Sequence, residues 1–150
     1  MAIVDSISVA IHLLTGAVWA GTVTFVVVGV LPAAREGQLN AEPLGAIAGS
    51  LRSVSRVAAV LLVLTGGHLL AARGYLGERL YASGDGHLVL TMVGLWLVAT
   101  GLVEVGTGRL VDGAGDRKVR GPARAATRFL QGAAVLAALV LVDAAFIVTT

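Results

Sequence analysis

Residues 7–31, ISVAIHLLTGAVWAGTVTFVVVGVL, hold no ionised side chain, and His12 is their only titratable group. Crossing the hydrocarbon core of a bilayer takes about 20 mostly apolar residues. This run therefore predicts a transmembrane helix, closed by Pro32. A cleaved signal peptide would need a basic segment ahead of the apolar run, and Asp5 stands there instead.

Working outward, three more apolar runs repeat the pattern. Residues 54–72 follow Arg52 and carry only Arg56 near their start; 87–107 carry one acid, Glu104; 125–148 carry Asp143. Between them lie polar connections at 33–50, 74–86 and 112–124, the last holding Asp112, Asp116, Arg117, Lys118, Arg120 and Pro122. The expected fold is all-α, a four-transmembrane-helix bundle forming one membrane domain over 1–150. Composition agrees: the chain is 57% hydrophobic and 13% charged, with a mean hydropathy of +0.89, too apolar for an ordinary soluble domain. Without cysteine, thiolate metal sites, iron–sulfur clusters and cysteine nucleophiles are excluded. A net charge of +2 spread over connections makes no phosphate-binding stripe, so no nucleic-acid partner is expected.

Lys and Arg near helix ends set orientation. Nine of the eleven (Arg35, Arg52, Arg56, Arg109, Arg117, Lys118, Arg120, Arg124 and Arg128) flank the first and third connections, against Arg73 and Arg79 at the second. Both termini are thus expected outside, and the two basic connections in the cytoplasm.

Ionisable groups within a span ask for a partner, a cavity or a function. Counting from the outer surface, His12, His68 and Asp143 each lie about five residues, roughly 7 Å, into their helices, and His87 opens the third span from that side. Three imidazoles and a carboxylate are therefore expected near one depth. Gly16 follows His12 by one turn, and Gly66-Gly67 precede His68, leaving room beside both rings. Simpler readings stand beside this one: a histidine bonded only to a neighbouring polar group, His87 facing water, and Asp143 paired with a histidine. Glu104, at the cytoplasmic end, is expected to pair with Arg52, Arg56 or Arg109. Trp19 lies too deep for the aromatic belt and is expected to pack.

His12-Leu13-Leu14-Thr15-Gly16-Ala17-Val18-Trp19-Ala20-Gly21, closed by Leu31-Pro32, resembles the first helix of the CopD family of membrane proteins. Arg52-Ser53-Val54-Ser55-Arg56-Val57-Ala58, leading into Leu62-Val63-Leu64-Thr65-Gly66, is similar to that family's second helix. The resemblance implies copper uptake or resistance at the cytoplasmic membrane, beside an extracytoplasmic copper-binding protein. A weaker resemblance to membrane haem proteins of the HemJ type implies haem b. Both patterns have a lysine in the third helix, near where Thr91 and Met92 stand, and no span here holds one.

Imidazole and carboxylate suit Cu(II), whereas Cu(I) prefers sulfur, which only Met1 and Met92 offer. The copper reading places the metal at His12, His68, His87 and Asp143, with a homo-oligomer or a partner completing any conduit. Its alternative is a haem b cytochrome with His12 and His68 as axial ligands, and a further alternative is a structural subunit of a membrane complex. No nucleophile–base pairing and no phosphate-binding glycine motif points to an enzyme.

Overall fold

A computed structural model describes residues 3–149, with side chains described for 3–147. Every described regular element is helical: α1 (Ile3–Phe25), a π-helical turn (Val26–Val30), α2 (Leu31–Glu36), α3 (Ala41–Ala72), α4 (Glu78–Ala82), α5 (Gly84–Gly115) and α6 (Arg120–Thr149). Four continuous segments are long and apolar enough to cross a membrane: Ile3–Glu36, Ala41–Ala72, Gly84–Gly115 and Arg120–Ile147.

Side-chain pairs fix the packing. Along the α1/α3 seam, Asp5 meets His68, His12 meets Thr65 and Trp19 meets Ser55, so climbing one helix descends the other. Arg52 and Arg56 of α3 meet Glu104 of α5, while α5 meets α6 through Gly113 against Pro122 and Gly106 against Leu130. The ring is closed by α6 packing on α1. The result is an up-down-up-down bundle with α1 diagonal to α5 and α3 diagonal to α6.

Pro32 does not end the first span. A proline inside a helix lacks a donor and crowds the carbonyl four residues earlier, here Val28. That carbonyl lies in the π-helical turn, whose wider winding admits the ring, and the chain continues as α2 to Gly37. Gly37 stops it with a left-handed φ of 78° beneath the Arg120 side chain.

Helical structure also runs well past the apolar spans. The connection expected over 33–50 narrows to 37–40, and that expected over 112–124 narrows to 116–119. Polarity marked where the bilayer ends, but helix formation needs only a buried stripe. Leu44, Ala48, Leu51, Ser55 and Ala58 supply one along α3, all at most 5% exposed, at helical spacing. Pro43 sits in the first turn of α3, where proline is tolerated.

At 32 residues each, α3 and α5 are about 48 Å long, against about 30 Å of hydrocarbon. Charge places the slab. Arg56 to Arg73 on α3 and His87 to Glu104 on α5 are each seventeen residues apart, or about 26 Å. Beyond Glu104 charged side chains recur on α3, α5 and α6, and this basic end is where the bundle packs most tightly: Leu31, Ala34, Leu44, Ala48, Leu51, Leu110, Ala123, Ala126 and Leu130 are at most 1% exposed.

Candidate cofactor-binding cavity

The opposite half of the bundle is hollow. A cavity of about 370 Å³ opens between all four long helices, lined almost wholly by apolar side chains, with His12, Arg73 and Tyr75 as its polar exceptions. Its size falls within the range of roughly 300–1,000 Å³ that small-molecule sites occupy. Trp19 and Trp96 lie along its wall. Gly16 and Gly67 also line it, and a Cβ added at either would meet no atom within 4 Å. The space comes from side chains the sequence omits.

His12 is held in one tautomer. Thr65 Oγ1 donates its proton to the Leu61 carbonyl at 2.6 Å, so the 2.8 Å contact between that oxygen and His12 Nδ1 requires Nδ1–H to donate. In the neutral ring Nε2 then carries the lone pair. Gly66 packs against the ring edge, where an added Cβ would lie 3.1 Å from Cε1. A ring fixed through one nitrogen with the other left basic is the arrangement of a metal-binding histidine.

Trp19 Nε1 donates to Ser55 Oγ at 3.0 Å, with both residues at most 2% exposed. As expected of Trp19, this is packing, and the hydroxyl satisfies the one polar atom of the indole. Ser55→Ala should therefore strand that donor and cost about 1–3 kcal/mol, read as a lowered midpoint of thermal unfolding in detergent, while Ser55→Thr should recover most of it.

The other candidates take separate partners. His68 Nε2 pairs with Asp5 Oδ1 at 3.1 Å in the α1/α3 seam, on the N-terminal side of His12 along α1 and off the cavity wall. His87 Nε2–H donates to the Tyr81 carbonyl at 2.8 Å, tying α4 to the start of α5. Asp143 is 9% exposed, and its Oδ2 has no hydrogen-bond partner; its neighbours Val140, Ala144 and Ile147 line the cavity, and it does not. Among the described residues, no three His, Cys, Asp or Glu side chains gather as a metal-ligand group. Met1 lies outside the described residues.

Glu104 pairs with Arg52 at 2.8 Å and Arg56 at 3.0 Å, a tie between α3 and α5 at the edge of the slab. It stands far from the cavity, so Glu104→Gln should leave ligand binding unchanged, measured as the Kd of whatever the cavity holds; a loss of binding would give Glu104 a role in the site.

Met92 and Arg73 also line the cavity, a place that sequence alone did not give them. Met92 of α5 faces the cavity from the helix diagonal to α1. Following the seams, His12 stands level with Gly66, and Gly66 level with the first residues after Thr91, so imidazole and thioether share one depth on opposite walls. Arg73 lies at the cavity mouth, seven residues or about 10 Å past Gly66 just beyond the end of α3. Beside it Tyr75, 8% exposed, donates to Asp85 Oδ2 at 3.1 Å and carries the Arg79 guanidinium 4.7 Å from its ring centre. A depth count on the third span, of the kind applied to the histidines, would have found Met92.

No protein-family model, curated protein or solved structure matches the chain.

Proposed function

We propose that this chain is a membrane haem b protein, with His12 and Met92 as the cavity residues that would hold the group. The observation that carries the reading is the His12 ring: its Nδ1 is committed to Thr65, its Nε2 is free, and it stands in an apolar cavity with a single imidazole. A lone imidazole makes a poor chelate for a bare ion. It would suffice for iron that arrives already bound in its own macrocycle, as a histidine does in haem proteins.

The residues present fit such a group. His12 Nε2 would ligate from the α1 wall and Met92 faces it from α5. Gly16 and Gly67 leave room for a flat body, and Arg73 at the mouth suits the propionate carboxylates. Bound there, haem supplies one-electron redox chemistry. The chain's own part is to hold the imidazole in one tautomer, to exclude water with an apolar wall, and to keep a cation where the anionic edge emerges. Met/His ligation favours a higher potential than two imidazoles would.

In this reading the termini and the cavity mouth face outward across the cytoplasmic membrane, because the basic connections mark the inner side. The copper reading keeps one specific support, the His68–Asp5 pair, which offers an imidazole and a carboxylate near the outer end.

Titrating the detergent-purified protein with haem, and separately with Cu(I) and Cu(II), distinguishes the two. The proposal expects one haem per chain with a shifted Soret band, and no stoichiometric copper. Stoichiometric copper without haem binding would replace it with copper handling.

A further inference from the structure

At the basic end, two guanidiniums are brought together with no acid between them. Arg109 of α5 and Arg128 of α6 both lie against the Phe129 ring, at 4.7 and 4.8 Å from its centre. Both are exposed, and neither makes a hydrogen bond or ion pair with any described residue. Glu104 is taken by Arg52 and Arg56. Asp112, one turn beyond Arg109, makes no bond to either guanidinium. Arg124, one turn from Arg128 on α6, adds a third cation to the same ridge.

Depth gives the cluster its meaning. Arg109 lies five residues past Glu104, about 7 Å beyond the level at which α3 and α5 first carry charge on this side. The polar headgroup layer on each face of a bilayer is of about that thickness. Arg128 stands at the same level, because Leu130 packs on Gly106 across the seam, and residues 129–142 beyond it contain only Gln131 as a polar side chain. Lipid tails running beside that apolar stretch would carry their phosphates to the two guanidiniums.

We infer that Arg109, Phe129 and Arg128 form a headgroup site for an anionic phospholipid at the α5/α6 seam. The flat, weakly hydrated guanidinium pairs with phosphate oxygens through paired N–H groups. Stacking on Phe129 holds each one in place beforehand. Basic pockets between membrane helices recognise anionic headgroups in this way. The site is independent of the cavity and of what the cavity binds.

Native mass spectrometry of the delipidated protein, titrated with phosphatidylglycerol or phosphatidylcholine of identical acyl chains, tests this. The expected result is at least a tenfold preference for phosphatidylglycerol, lost in the Arg109→Gln/Arg128→Gln double variant. It should be kept in Arg117→Gln/Lys118→Gln, which removes the same charge from the connection, and inorganic phosphate at matched ionic strength should not compete. Equal binding of the two lipids, equal loss in the control variant, or competition by inorganic phosphate would overturn the proposal. Should the double glutamine variant fail to fold, Phe129→Leu replaces it: weaker phosphatidylglycerol preference at unchanged charge supports the site, and unchanged preference overturns it.

Discussion

His12→Ala is expected to abolish haem binding while leaving the bundle folded, a loss of at least about 100-fold in affinity. The imidazole meets α3 at Thr65 and along the edge of Gly66, so its removal enlarges a cavity that already exists and leaves the Thr65 hydroxyl its bond to Leu61. Thr65→Val, which removes the acceptor for Nδ1–H but leaves the ligand, should weaken binding by about 10- to 100-fold, the usual cost of losing the group that orients a metal-bound histidine. Haem titration followed at the Soret band reads both. His68→Ala should change little, since His68 spends its Nε2 on Asp5 outside the cavity. Graded loss in the order His12, Thr65, His68 is the signature of this site. Equal loss for His12 and His68 would instead point to both imidazoles as axial ligands.

The second large effect concerns the closed half of the bundle. A Cβ on Gly106 would lie 2.6 Å from Leu130 Cγ, and Leu130 is fully buried. Gly106→Val therefore has to push α5 and α6 apart where they approach closely. Overpacking of this kind costs about 1–3 kcal/mol or more. The measurement is thermal unfolding in detergent, with a clear drop in midpoint expected for Gly106→Val. Gly101→Val, on the same helix, should behave nearly as wild type, because nothing lies within 4 Å of its added Cβ. If both variants unfold alike, the α5/α6 approach at Gly106 is not what holds the bundle.

The contrast between these two glycines shows what could be read from the sequence. On α5 the sequence spaces Gly94, Gly101 and Gly108 seven residues apart, yet an added Cβ at Gly94 or Gly101 meets nothing within 4 Å, and the close contacts with α6 belong to Gly106 and Gly113. Spacing identifies a stripe but not the direction it faces. The four spans were legible because residues in hydrocarbon must be apolar throughout, a constraint carried by each residue alone. Helix ends were not, because α3 begins at Ala41 on the strength of Leu44, Ala48 and Leu51 packing into neighbours that lie far off in sequence.

The site divides along the same line. Glu104 with its arginines and the packing of Trp19 followed from depth and charge. The partner of His68 did not, although Asp5 lies two turns before His12 on the same face of α1, as His68 lies one turn from Thr65 on α3. Those two spacings predict paired contacts once the helices are known to be adjacent. Asp143 shares the depth of the histidines but is turned aside from the cavity wall, a rotation that no count along the chain reveals. Met92 offers the sequence only a sulfur; its place on the cavity wall with His12 comes from how α5 packs.

The most direct test of the central claim is the absorption spectrum of haem-loaded protein, oxidised and dithionite-reduced, compared between wild type and Met92→Leu. A sharp α band on reduction is expected in wild type, as iron held by His12 and Met92 predicts. In the variant a broadened spectrum and a lower midpoint potential are expected, with haem still bound through His12. A wild-type protein that takes up no haem, or one whose haem is retained in His12→Ala, would contradict that claim.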